Sequence, residues 1–293
     1  MNTLIPTFLG SVNSWECDEN EHLNVRFYVQ KMQQTLEAGL LEVNLANQDT
    51  LWEICNKISV QHMRFGAEAR IAEPITGYFG LLSVQADGFS ALVELRNTAT
   101  QKVIAAFNYD IAHPSSDTDL TTVPLPDYAG SRGVQPQPLP YIHISLSESH
   151  EYGFTTIGKG IIQPEECCPQ GYLLRCHYMG RSSDSIPNLL MKFTAESEEG
   201  LSGAGVAGSA VLEYRMSYYS PLRLGDRFEM RSGLLHLGEK IYRMAHLIFN
   251  RDTGKLVLGS ESVSINMDLK TRRSVPIAPA QRRIMAPLLL KEI

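Results

Sequence analysis

Basic residues and cysteines are both scarce in this sequence. The 293 residues hold 26 Lys and Arg against 32 Asp and Glu, a net charge of −6. That balance excludes the broad positive surface that general binding to nucleic acid or to an anionic membrane requires. The five cysteines, Cys17, Cys55, Cys167, Cys168 and Cys176, form no CxxC pair. An odd number at irregular spacing predicts neither a disulfide frame nor a zinc site, and fits reduced thiols in a cytoplasm. No run of 18 apolar residues occurs, so no membrane-spanning helix is expected. No Lys or Arg precedes Arg26, so the basic start of a secretory signal is missing. GxSxG, HExxH and Walker sequences are absent, and the eight histidines lack metal-ligand spacing, so no metal or organic cofactor is expected. GAGVAG at 203–208 fits GxGxxG. Acidic and small residues precede it and a strand-like SAVLEYRMSYY follows, so it reads as a Gly-rich connection and not as a dinucleotide site.

Proline, by contrast, is concentrated. Residues 114–140 hold six of the fifteen, and proline fixes φ and removes a donor, so this segment is neither a long helix nor a central strand. It reads as a linker or surface strap between a first domain, 1–113, and a second, 141–293. The two halves repeat. At an offset of 153, Glu73 falls on Asp226, Gly80-Leu81-Leu82 on Gly233-Leu234-Leu235, and Asn97, Thr100 and Lys102 on Asn250, Thr253 and Lys255. Upstream, an offset of 149 places Glu16 on Glu165 and Arg26 on Arg175. A duplicated domain is expected.

Each half has the same order of elements. In the first, strand-like TFLGSVNSWEC precedes a helix from about Val25 to Leu45, with Val25, Tyr28, Met32, Leu36, Leu40 and Val43 three or four apart. Four strand-like runs follow: KISVQHMRF, ITGYFGLLSVQA, FSALVELRNT and KVIAAFNYDIAH. In the second, YGFTTIGKGIIQ precedes a weaker helix from Ser182 to Phe193, with Pro187 better suited to its first turn than its middle. SAVLEYRMSYY, RFEMRSGLLHL, KIYRMAHLIFN and KLVLGSESVSINMDL then read as strands. One helix and a meander, twice, is an α+β pattern.

The chemistry is densest in WECDENEHLNVRFY, residues 15–28, where acids, a histidine and two asparagines abut a helix start. Taken alone, such a composition is what capping demands. In Trp15, Glu16, Asp18, His22, Asn24, Phe27 and Tyr28, however, the segment resembles the hotdog-fold acyl-CoA thioesterases of the 4-hydroxybenzoyl-CoA thioesterase type. Glu21 stands where that family usually has glycine. The later segment, EYRMSYYSPLRLGDRFEM onward to TRRSVPIAP, fits the family's second part more diffusely.

The resemblance implies a double hotdog, two tandem copies of a long helix wrapped by a curved antiparallel sheet. It also implies hydrolysis of an acyl-CoA thioester. Asp18 would be the general base or nucleophile, and the Val25 backbone N–H at the helix start would face the carbonyl oxygen. His22 and Asn24 would bind substrate, with Asn24 as helix cap the other reading. At the offset of 149, Asp18 falls on Cys167, His22 on Gly171 and Asn24 on Leu173, so the second copy is expected to be silent. Two other functions fit less well. A hotdog enoyl-CoA hydratase has its His five residues past the Asp, with a Pro between, whereas Asp18 and His22 are four apart. Against a non-catalytic acyl-CoA sensor or binding module stands the sequence itself, which shows no helix-turn-helix or other output domain. The apolar runs GYFGLLSV and YRMAHLIFN exceed what one buried face requires, so self-association of chains is expected.

Overall fold

The computed structural model describes residues 4–18, 21–114, 120–194, 207–268 and 270–292. The chain forms two compact units: Met1–Ser131 with Glu166–Gly180, and Arg132–Glu165 with Arg181–Ile293. In the first, β1 (Ile5–Ser11), β2 (Ile58–Phe65), β3 (Pro74–Gln85), β4 (Gly88–Asn97) and β5 (Val103–Ile111) form antiparallel pairs in the order β1-β3-β4-β5-β2. Helix α1 (Val25–Glu42) packs on them, and a short α2 (Leu51–Asn56) follows. In the second, β6 (Thr155–Ile161), β7 (Ala207–Tyr218), β8 (Arg227–Leu237), β9 (Ile241–Asn250) and β10 (Leu256–Asp268) pair in the order β6-β8-β9-β10-β7. A two-residue β11 (Arg273–Ser274) pairs with β10, and α4 (Pro279–Met285) lies near the C-terminus. Helix α3 (Arg175–Thr194) gives its first residues to the first unit and the rest to the second. The α+β double hotdog expected from the sequence is the fold found. Among the described residues no helix is long and apolar enough to cross a membrane.

The packing follows from the sequence periods. Tyr28, Val29, Met32, Leu36 and Leu40 lie on one stripe of α1 and are buried. They meet alternate strand residues such as Phe79, Val93 and Phe107, which pair across β3, β4 and β5 in register. Gly39 permits the close approach, since a Cβ there would lie 2.1 Å from the Phe79 ring.

The turns carry the repeat into the backbone. Asn97 Oδ1 accepts from the N–H groups of Ala99 and Thr100, each at 3.0 Å. Asn250 Oδ1 accepts from Asp252 and Thr253 at 3.0 and 3.1 Å. Ala72 and Gly225, also 153 apart, both have positive φ, 66° and 83°.

Two sequence expectations shift, and two fall partly outside the described residues. The first strand ends at Ser11, and Ser14–Glu16 forms one 3-10 turn instead of extending it. The second helix starts at Arg175, seven residues before Ser182, and runs through Pro187. Residues 115–119 of the expected linker and 203–206 of GAGVAG lie outside the described residues.

The rest of the proline-rich segment is a strap. In the first unit, Val123 N donates to Leu81 O at 2.7 Å, Tyr128 OH to Glu94 at 2.6 Å, and Asn108 Nδ2 to Ala129 O at 2.9 Å. In the second, the N–H groups of Arg132 and Gly133 reach the Glu213 carboxylate at 3.0 and 2.7 Å. Tyr141 and Ile144 pack on Ala245, Leu247 and Phe249. The strap and the residues just after it thus cover outer-face residues of GYFGLLSV and YRMAHLIFN within the chain.

Candidate active site

The loop between β1 and α1 is built by its backbone before any side chain acts. Cys17 and Leu23 form an isolated antiparallel bridge, and Asp18 N donates to His22 O at 2.9 Å. Glu21 N closes a turn on Asp18 O at 3.0 Å, with Glu21 at φ 62°, a conformation that favours glycine. Leu23 N then donates to Ala69 O at 2.8 Å, which fixes the loop to the segment before β3. Tyr28 braces that segment from α1: its hydroxyl donates to Ala67 O at 3.1 Å and accepts from Ala69 N at 3.0 Å. Burial pushes the Tyr28 hydroxyl far up, so it stays a neutral strut.

Glu16 anchors the other end. Its carboxylate accepts from Asn13 N at 2.9 Å and from Lys31 Nζ at 2.7 Å, a pair almost wholly buried. Local sequence reasoning does not reach Lys31, which lies on the buried face of α1 and meets an acid fifteen residues earlier. Its one signal is a lysine beside Met32 in the apolar stripe.

The structure places each expected site residue in this loop. Asp18 is half-buried, and its Oδ1 accepts from His22 N at 3.3 Å. The His22 ring is buried, with Nε2 3.0 Å from Glu68 Oε2. Asn24 Oδ1 accepts from Arg26 N at 3.0 Å, and so caps α1. Phe27 N and Tyr28 N turn back to Asn24 O. Val25, the first residue of the helix, donates its N–H to no group among the described residues. The start of α1 thus carries one unclaimed donor at the positive end of the helix dipole, seven residues after an acid. Cys17 is no rival nucleophile: burial, then Asp18, Glu16 and Glu21, push its thiol up.

The second copy repeats the backbone and changes the chemistry, and it corrects the alignment by one residue. Cys167 and Leu173 make the bridge, Cys168 N donates to Tyr172 O at 2.8 Å, and Gly171 takes the positive φ, 77°. The offset is therefore 150, not 149. Asp18 corresponds to Cys168, His22 to Tyr172, Asn24 to Leu174 and Val25 to Arg175. The expectation failed because it matched residue types, Glu16 with Glu165 and Arg26 with Arg175, where backbone pairing sets the register. Leu174 offers no capping oxygen. Instead Gln33 Oε1 accepts from Cys176 N at 2.7 Å, and Gln33 Nε2 donates to Glu37 at 2.6 Å. Burial pushes Glu37 up to about 7. Cys168 is buried and accepts from Asn56 Nδ2 at 3.8 Å. No carboxylate stands at the Asp18 position, and a borrowed side chain caps the helix.

Comparison with known proteins gives a family and a fold. A family model described as the thioesterase-like superfamily matches residues 12–133 and 178–285. Among solved structures, a candidate oleoyl thioesterase from Lactobacillus plantarum aligns with TM-score 0.64 at 12% identity, over 94% of this chain and 98% of its own. The 12:0-ACP thioesterase from Umbellularia californica gives 0.63 at 9%, over 88% and 96%. An acyl-ACP thioesterase from Bacteroides thetaiotaomicron gives 0.58 at 10%, over 88% and 96%. At these identities the likeness is one of fold. No curated protein matches the sequence.

Proposed function

The chain belongs to the thioesterase-like superfamily and is a thioester hydrolase, and from that premise we propose that it cleaves an acyl-CoA to the free acid and CoA at the loop of residues 17–25. The observation that carries this reading is the unclaimed Val25 N–H at the start of α1, in a loop whose acid is Asp18. A thioester carbonyl placed on that N–H has its developing oxyanion met by a donor already fixed in place. Asp18 then acts in one of two ways. As base, it takes a proton from water while the hydroxyl adds to the carbonyl carbon. As nucleophile, it attacks directly and forms an anhydride that water opens. In both, the carbon–sulfur bond breaks, the sulfur leaves with the electron pair, and the thiolate takes up a proton.

The supporting residues have distinct tasks. Asn24 caps the second N–H of α1, so Val25's is the one left for substrate. Glu16 and Lys31 tie the loop to the helix. His22, bonded to Glu68, borders the loop and is assigned to substrate binding. The second copy lacks the acid, so one working site per chain is proposed. No step calls on a metal or cofactor.

The test is release of free thiol from short, long, aromatic and polar acyl-CoAs. The same acyl groups on a carrier protein serve as a second arm, because CoA and the carrier present the same phosphopantetheine thioester. Hydrolysis of at least one acyl-CoA that collapses in Asp18→Asn is the expected result. Hydrolysis of none, or full activity in that variant, contradicts it. Single turnover in ¹⁸O-water separates the two roles, since only a nucleophilic Asp18 acquires the label in its own carboxylate.

A further inference from the structure

The two sheets share a register and differ in their interiors. In the first unit Phe79 pairs with Val93, Val93 with Phe107, and Gln61 with Tyr109. At the constant offset of 153, the second unit pairs Ser232 with His246, His246 with Ser260, and Tyr214 with Ser262. None of these five is more than 4% exposed. A largely aromatic and aliphatic patch in one unit is a patch of hydroxyls and imidazole in the other.

This network is connected and leaves one group over. Ser232 Oγ and His246 Nδ1 are 2.6 Å apart, and His246 Nε2 and Ser262 Oγ 3.3 Å. The Tyr214 ring stacks on the imidazole at 5.7 Å between centroids and 12° between planes. Burial pushes His246 down to about 3, so the ring is neutral, with one nitrogen a donor and the other an acceptor. The Tyr214 hydroxyl is buried beside Ser182 of α3 and Ser260, yet makes a hydrogen bond of good geometry with neither. A buried hydroxyl without a partner is rare in a folded interior and calls for one.

Size and charge narrow what that partner is. Ser232, Ser260 and Ser262 stand where the first unit has Phe79, Phe107 and Tyr109, while His246 and Tyr214 stand where it has Val93 and Gln61, so three rings are lost, two are gained and the net change is toward smaller, more polar side chains. Interiors otherwise fill to near crystal density. The buried carboxylates of these strands are engaged elsewhere: Glu213 with the strap N–H groups, Glu229 with Thr156 and Arg231, and Glu261 with Arg243. They alternate with the serine and tyrosine positions along their strands, and so lie on the other face.

We propose that the interior of the second unit, along β7 to β10 beside Ser182 of α3, is a binding site for a neutral hydrogen-bonding group, a hydroxyl or carbonyl on an otherwise apolar ligand, recognised by Tyr214 and the Ser232–His246–Ser262 network. A carboxylate or ammonium does not fit, because its desolvation would meet no opposing charge among these groups. The ligand is either the polar part of the acyl group or a separate small molecule, and the chemistry is the same for both; the first source rests on the hydrolytic reading above.

Calorimetric titration of the full chain with 4-methylphenol and with 1,4-dimethylbenzene, which has the same shape without the hydroxyl, tests this directly. The phenol is expected to bind about tenfold or more tightly than the hydrocarbon. Tyr214→Phe, confirmed folded by its melting transition, is expected to reduce that preference about five- to tenfold, and Ser260→Ala to reduce it in the same direction. Equal binding of the two probes, or an unchanged preference in both folded variants, overturns the proposal. A parallel assay compares hydrolysis of a 4-hydroxyphenylacyl-CoA and the phenylacyl-CoA. If Tyr214→Phe lowers their rate ratio as it lowers phenol preference, the ligand is the substrate's own hydroxyl. If it lowers only phenol binding, the ligand is a separate molecule. Both results uphold the site, and calorimetry needs no turnover, so the binding site is tested even in a chain that hydrolyses nothing.

Discussion

The loops 17–25 and 167–175 make the same backbone pairings among their described residues and carry different chemistry. Each has a bridge, a positive φ at the matching position (Glu21 or Gly171), and a helix starting two residues past the bridge. Only Cys17 and Leu23 keep their residue type, as Cys167 and Leu173, and three of the exchanges matter most for the chemistry. Asp18 becomes Cys168, Asn24 becomes Leu174, and Glu21 gives way to Gly171, the residue its conformation prefers. The loop shape is therefore a property of main-chain hydrogen bonds and does not require catalysis to maintain it. The second loop is the more relaxed of the two at its turn, and its helix start is held by Gln33 from α1. In the first loop Asn24 caps the Arg26 N–H and leaves that of Val25 unclaimed.

That comparison breaks most readily at Asp18. Asp18→Asn keeps the size and a hydrogen-bond acceptor for His22 N, so the fold is expected to survive, while kcat falls by about 10² or more. Steady-state kinetics beside a thermal melt checks both halves of the statement.

A smaller effect is expected where Gln33 substitutes for the missing cap. Burial raises Glu37 from 4.5 to about 7. Between those values the folded chain binds a proton that the unfolded chain has lost, so stability falls as pH rises through this window. The loss approaches about 3 kcal/mol once pH exceeds the folded value. Urea titrations at pH 4.5 and 7.5 are expected to show that slope in the wild type and to lack most of it in Glu37→Gln.

The smallest effect tests the silence of the second loop. Cys168→Ala is expected to leave kcat within about twofold and to cost about 1 kcal/mol of stability for the lost buried thiol. A loss of kcat comparable to that of Asp18→Asn would mean that both loops work.

Much of this is legible in the residues. β8 runs from Arg227 to Leu237, as its alternation of apolar and polar positions predicts, and α1 starts at Val25, where the capping Asn24 announces it. The candidate acid is legible because its neighbours form a family pattern. What is not legible depends on distance or on backbone. Helix α2 is six residues long, too short for a period to show. The start of α3 escapes a search for apolar stripes because RCHYMGR has a glycine and two arginines there. The Glu16–Lys31 and Gln33–Cys176 contacts join residues 15 and 143 positions apart, and no local rule reports them. The register of the second loop comes out one residue off because side-chain likeness is a poor guide once side chains have diverged, whereas Cys168 N and Tyr172 O still pair.

The central claim is that the first N–H of α1 is the oxyanion donor, and Val25→Pro measures it most directly. Proline is well tolerated at the first position of a helix, and Asn24 before it already has φ −65° and ψ 143°, the extended conformation that a following proline requires. The substitution removes that one donor and little else. The account predicts a melting temperature within a few degrees of the wild type and a kcat lower by about 10²–10³, the usual cost of losing one oxyanion donor. A folded Val25→Pro enzyme with kcat near the wild-type value would contradict it.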